Sequence, residues 1–360
     1  MAVTVTSGGT FPTSQNGQQP GLYVRFVQKA LTTIGVGSRS KVATIKSVFT
    51  GTAVSKNVYR VTNLDQATTL FGASNVDDIV DYFTGGASEV VVATVDQLAD
   101  TTAYTAALNL IQTYEFHVFS LPSTADSNLE TIVYSWLQSA RNDGKNFVTV
   151  FFAGSDKEGK VTDIVAKANT LKDETVVFVG NGVKNADGTQ KPAPQYAQYI
   201  AGLIAGTPLD GSLTYVDVPY AETIYRFLPS DIKTLLAAGV LVTVTDGDTP
   251  RIEQGLTLGD QGTPFFKIRT VRAKQAMIDD IDSAVRDNYI GRITNNYDGQ
   301  LAVINAIKVY LETLANANVI DQTYNVAIDK TIASVGAEMY VNIAVRYLDS
   351  IEFVYLTISV

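Results

Sequence analysis

Two rhythms of apolar spacing divide the chain. Between Glu89 and Val179, short runs that are apolar at every position alternate with longer stretches whose apolar residues recur every three or four positions. Val90-Val91-Val92-Ala93 has no polar face, as a strand covered on both sides requires. Thr101–Tyr114 then sets Tyr104, Leu108 and Ile111 at helical spacing. The alternation continues with Phe116–Ser120, Phe147–Phe152 and Thr175–Val179 as strands, and Ser127–Arg141 and Val161–Leu171 as the helices between them. Tyr196–Ala205 follows as a helix and Gly239–Val244 as a strand. Strand and helix in turn predict an α/β domain over 89–255, a central and mostly parallel sheet with helices on both faces.

The flanks have a different pattern. The first twenty residues are rich in Gly, Ser, Thr, Gln and Asn. They meet Pro20-Gly21 and then Leu22, Tyr23, Val24, Arg25, Phe26 and Val27, which read as one strand on an arm spanning 1–30. β-Branched runs broken by glycine, Val42–Ile45 and Val58–Val61, predict a small N-terminal β unit over 31–88. Beyond Phe265 the helices lengthen. Ala273–Arg286 is one, and Gln300–Ala315 carries a stripe of Leu301, Ile304, Ile307, Leu311 and Leu314. With the strand Met339–Val345 these make an α+β C-terminal domain over 256–348. The sequence finishes on Ile351–Val360, a β-forming run with no turn or helix after it, expected as an extended terminal strand on an arm spanning 349–360. Ten extended residues reach about 33 Å, beyond a neighbouring element.

Composition narrows the chemistry. At 360 residues, 46% hydrophobic and 18% charged, the chain is long and apolar enough for two or three packed domains. Without cysteine there is no disulfide, thiolate metal site or thiol nucleophile. A net charge of −9 with no Lys/Arg cluster repels phosphate backbones and argues against nucleic acid as a partner. No stretch reaches the roughly 18 apolar residues of a membrane helix, and the first residues lack a basic region followed by an apolar run. Neither membrane insertion nor export is expected.

Candidate catalytic and binding motifs each meet a simpler explanation. His117 is the only histidine, and it stands in Phe116-His117-Val118-Phe119, whose apolar neighbours and lack of a nearby carboxylate predict a buried strand position instead of a general base. Gly35-Val36-Gly37 lacks the third glycine of a dinucleotide loop, and Gly180-Asn181-Gly182 leads into a polar turn-rich stretch instead of a helix. Asp77, Asp78 and Asp81, Asp246 and Asp248, and Asp279, Asp280 and Asp282 fit no calcium-loop spacing and read as charges at helix beginnings. In Asn295–Leu301 Asp298 is expected to cap the helix that follows. No catalytic, cofactor or metal residue is assigned, and no cofactor is expected.

Three segments together resemble the sheath protein of contractile phage tails and tail-like bacteriocins, in the form found in prophages of Gram-positive bacteria. They are Pro20-Gly21-Leu22-Tyr23-Val24-Arg25-Phe26, then Tyr199–Pro208 continuing through Ser212–Tyr215, and finally Phe266–Arg269 with Tyr289–Arg292 and Asn295–Gly299. Similar order and length extend over nearly the whole chain. The resemblance implies a subtilisin-like arrangement of the central layer without protease activity, and a structural subunit instead of an enzyme. It implies strand exchange between copies through Leu22–Val27 and through Phe353, Val354, Tyr355, Leu356, Thr357 and Ile358. Copies would stack as six-fold rings around a tail tube protein and contract, with baseplate and tail-terminator proteins as further partners. The place would be a virion tail or tail-like particle, assembled in the host cytoplasm. Tube contact would come from the C-terminal domain, through Gln300–Ala315 or Asp329–Gly336, with Lys308 and Lys330 as candidate charges. Two alternatives remain at this point: an α/β hydrolase or nucleotide-dependent enzyme, and another tail or secretion component.

Overall fold

In the computed structural model, the described residues are 34–37 and 39–358. The predicted strand Leu22–Val27 and its arm lie outside them.

The central layer is built from alternating elements. In chain order they are β1 (Lys41–Lys46), β2 (Val58–Val61), α1 (Leu64–Phe71), α2 (Asp77–Gly85), β3 (Glu89–Thr94), α3 (Thr101–Ile111), β4 (Val118–Ser120), α4 (Ser127–Asn142), β5 (Val148–Phe152), α5 (Val161–Thr170) and β6 (Val176–Val179). Six strands form one sheet in the order β2-β3-β1-β4-β5-β6, parallel except for β2, which runs antiparallel to β3. Every residue of β3, β5 and β6 is buried, which accounts for their unbroken apolar runs. Helix starts are fixed locally: Asn63, Asp100 and Asp126 each accept a hydrogen bond from a backbone N–H three residues on.

Next come β7 (Val183–Lys184), β8 (Gln190–Lys191), α6 (Ala193–Gly206), β9 (Glu222–Thr223), α7 (Pro229–Ala237), and the hairpin of β10 (Thr243–Asp246) with β11 (Thr249–Ile252). Adjacent residues of β4 show that helices cover both faces. Phe119 packs on Trp136 of α4, with ring centroids 5.0 Å apart, while Ser120 donates to Gln198 of α6 on the other side. On that second face α2 and α6 cross at backbone distance. A Cβ at Gly202 would stand 2.2 Å from the Tyr82 carbonyl oxygen, so only glycine fits.

The remainder is α8 (Ile268–Asn288), α9 (Tyr297–Asn316) and an antiparallel pair, β12 (Asn325–Ile328) with β13 (Val341–Ala344). Ile304, Ile307, Leu311 and Leu314 of the predicted stripe are buried with Tyr310, Met277, Ile320 and Val326, and Leu301 is half-buried. Ile34 reaches this second core from the far end of the described chain.

The α/β class stands, with corrections in detail. The small β unit expected over 31–88 is not a sheet of its own. β1 joins the middle of the central sheet, β2 forms its antiparallel edge, and 64–85 is mostly helical. Residues of β1 and β2 satisfy their backbone groups against β3, a partner more than twenty-five residues away that local pattern does not reveal. The cap of α9 is Asn296, whose side chain accepts from the Gly299 N–H at 2.8 Å, and Asp298 sits in the first turn.

Candidate assembly surface and the joint beneath it

Of the run Ile351–Val360, expected as a strand, the structure describes 351–358. That part makes no ladder with the other described residues, because a strand needs a partner for its N–H and C=O groups and none of the described elements lies alongside it. Its apolar side chains face solvent: Phe353 is 65% exposed, Tyr355 92% and Ile358 83%. Val354, Leu356 and Thr357 are exposed with them. These six residues are the second half of the predicted inter-subunit set, and the first half, Leu22–Val27, lies outside the described residues.

The root of this run is held firmly. Tyr347 bridges to Ile320, the Leu348 N–H donates to the Val319 carbonyl, and the Tyr347 ring meets Phe265 edge-on. Burial pushes the Tyr347 hydroxyl up to about 12. Glu352 forms an enclosed ion pair with Lys267, the residue that opens α8, and accepts from Thr214 Oγ1 at 2.7 Å. Lys267, Thr214 and Glu352 were not singled out from the sequence. The available signal was a lone carboxylate inside an otherwise uncharged β-forming run.

Beneath the root, the central layer and the C-terminal helices are joined by buried charge. Arg272 of α8 donates to the carbonyls of Thr207 at 2.7 Å and Ala205 at 3.5 Å, capping the negative end of α6. Burial, with Arg39 nearby, lowers its guanidinium to about 10. Arg39 pairs with Asp279 at 3.0 Å and also with Asp280, and Asp280 accepts from Tyr310 Oη at 2.7 Å. Burial raises the Asp279 carboxyl and the Tyr310 hydroxyl. The Asp279-Asp280 cluster is therefore mid-helix joinery, not the helix-beginning charge expected of it. Asp77 and Asp78 do open α2, where Asp78 also pairs with Lys46 at 2.8 Å.

His117 is buried just before β4, its N–H donating to the Lys41 carbonyl and its own carbonyl accepting from Val148. A carboxylate is nearer than expected, since Glu115 Oε1 is 3.7 Å from Nε2, yet burial wins and depresses the imidazole to about 3. The cavity beside it, also lined by Arg39, Asn146 and Gln275, is about 10 Å³, room for one water and no substrate. On the α6 side of the sheet the space next to β1 and β4 is filled. Gln198 accepts from Tyr82 Oη and from Ser120 Oγ, and donates to the carbonyls of Leu121 at 3.0 Å and Pro194 at 2.9 Å. That is a complete hydrogen-bond set with nothing left for a ligand.

Lys308 is exposed on α9 and Lys330 is exposed just after β12. They sit on separate elements, and neither makes an ion pair among the described residues. Asn295 ties the turn before α9 to the loop between β12 and β13 by donating to the carbonyls of Gly336 and Glu338 at 3.0 and 2.9 Å. Among the described residues no helix is long and apolar enough to cross a membrane.

Comparison with known proteins matches this layout. The profile of the phage tail sheath protein central domain covers residues 98–258, and that of the phage tail sheath C-terminal domain covers 260–360. The tail sheath protein of Clostridium phage phiCD119 is 25% identical over 227 residues, 62% of this chain and 59% of that protein. The chain thus spans about three fifths of the length of that curated relative. The sheath tail protein from Desulfitobacterium hafniense superposes with a TM-score of 0.72 at 15% identity, covering 91% of this chain and 100% of that one. The helical sheath of the anti-feeding prophage in its contracted state gives 0.75 at 16% identity, over 94% of this chain and 98% of that one. At such identities the two superpositions show a shared fold.

Proposed function

The chain belongs to the phage tail sheath family, and from that premise we propose that it polymerises around a tail tube by adding its C-terminal run to the sheet of another copy. The observation that carries the proposal is the solvent-facing apolar segment Phe353–Ile358, which pairs with no strand among the described residues. Free backbone donors and acceptors beside apolar side chains are the requirements of strand addition. The relatives are structural sheath proteins, and one is described as a helical sheath in a contracted state.

In this reading 1–30 and 349–360 are arms, and Leu22–Val27 exchanges in the same manner as Phe353–Ile358. Copies stack as six-fold rings, and the woven strands keep them connected while the subunits turn and slide as rigid bodies during contraction. The driving free energy lies in the difference between the extended and contracted contact sets. The tube, a baseplate and a terminator are the partners, in a virion tail or tail-like particle assembled in the host cytoplasm. Lys308 and Lys330 supply positive charge toward the tube.

The test is truncation after Glu352, with co-expression of the tail tube protein and negative-stain microscopy. The shortened chain is expected to remain a folded monomer and to form no striated cylinders. Cylinders of normal length and striation from that variant would refute the proposal. Lys308→Glu with Lys330→Glu is expected to leave sheath polymer intact while loosening it from the tube, read as empty cylinders.

A further inference from the structure

Along Ile351–Ile358 burial and polarity are inverted. Ile351, Phe353, Val354, Tyr355 and Leu356 face solvent, while Glu352, the one charged residue of the run, has a side chain only 6% exposed. The hydrophobic effect alone would produce the opposite arrangement. Specific contacts hold it in place. Lys267 Nζ pairs with the carboxylate, Thr214 Oγ1 donates to Oε1 at 2.7 Å, and Ser350 Oγ donates to the same oxygen at 3.4 Å. Thr214 Oγ1 in turn accepts from the Gly255 N–H at 3.1 Å. The carboxylate is thereby tied to the loop after α6, to the segment leaving β11 and to the residue at the N-cap of α8.

Side chains of an extended segment alternate between faces, so a slip of one residue turns every later side chain over. A slip here would bring Ile351 or Phe353 into the enclosure. Either fills the space, but each leaves the Lys267 ammonium buried without a counter-charge, which is the expensive outcome for an ion pair of this kind. An apolar pair at the same place would enclose the root equally well and penalise no slip. Charge at this point selects one register where apolar contact would accept several.

We propose that Lys267 and Glu352, with Thr214, act as a register pin for the assembly strand. The pin makes Phe353 the first free residue. It puts Phe353, Tyr355 and Thr357 on one face and Val354, Leu356 and Ile358 on the other when a second copy of this chain pairs with the segment. The proposal rests on the reading of that segment as an assembly strand, and its test separates the two.

The experiment compares three full-length or truncated proteins co-expressed with the tail tube protein: K267M/E352L, E352Q and the chain ending at Glu352. The K267M/E352L variant is expected to unfold at the wild-type midpoint, to exchange amide hydrogens of 346–352 about tenfold faster, and to yield few cylinders of irregular striation. Wild-type cylinders from it overturn the pin. If K267M/E352L does not fold, E352Q decides: it keeps the shape of the side chain and loses its charge, and regular cylinders at full yield from it overturn the pin. Normal cylinders from the truncated chain overturn the assembly reading itself. Loss of cylinders on truncation together with normal cylinders from K267M/E352L removes the pin alone.

Discussion

β3 and the run Ile351–Ile358 are made of the same kind of residue and have opposite fates. Glu89–Thr94 is buried at all six positions between helices, whereas Phe353, Val354, Tyr355, Leu356 and Ile358 lie open to water. Each begins near a carboxylate matched by a cation, Glu89 with Arg60 and Glu352 with Lys267. What separates them is the presence of partners on either side. β3 has β1 and β2 to complete its ladder, and the C-terminal run has no strand partner among the described residues of its own subunit. A β-forming sequence therefore specifies a need for pairing without specifying which chain meets it.

That contrast is open to direct attack. The largest effect is expected from Val90→Asp, which places a charge in a buried strand whose register partners, Val42 and Val61, are both apolar and cannot pair it. Loss of about 4 kcal/mol or more, or failure to fold, should appear in urea denaturation. Gly202→Val follows, because its Cβ would meet the Tyr82 carbonyl oxygen at 2.2 Å. Forcing α2 and α6 apart is expected to cost about 3 kcal/mol, read in the same way.

His117 gives a pH-dependent version. Its folded value near 3 lies below the ordinary 6.5, so the unfolded chain binds the proton first. Stability from this group is complete above 6.5, falls as the pH drops, and levels off near 3, a loss on the order of a few kcal/mol. His117→Phe should flatten that part of the acid limb, and an unchanged limb would show the histidine to be indifferent. The smallest effect on the subunit is expected from Val354→Asp, within about 0.5 kcal/mol of wild type, although the same variant should polymerise poorly. A large stability loss there would mean that the run belongs to its own subunit's core.

Much of the central layer was legible because buried parallel strands and their helices have distinct periods. Val90–Ala93, Phe147–Phe152 and Ser127–Arg141 fall within a residue or two of the observed elements. Leu64–Phe71 was missed and Asp77–Gly85 was read only through the acids at its start, since short helices carry little periodic signal. The assignment of β1 and β2 to a separate unit failed because sheet membership is set by partners distant in sequence. The exposed run itself was readable from its residues, yet its anchor was not. Glu352 looks like an interruption of an apolar strand until Lys267, eighty-five residues earlier, is seen beside it. The same holds for Arg39 and Arg272, whose roles exist only where α8 meets the sheet layer.

The position of Ile34 has a mechanical corollary. That side chain is fixed in the C-terminal core, and a few residues later the chain enters β1, flanked on both sides by parallel neighbours. Tension arriving from the preceding residues would first have to extract Ile34 and then shear the bonds of β1 to β3 and β4 together, instead of unzipping them one by one. Tension arriving through Phe353 meets the clasp of Glu352 with Lys267 and Thr214 first, and the Leu348 and Tyr347 contacts only behind it. The two ends of the described chain are thus unequal as tethers, and the subunit yields first at the clasp.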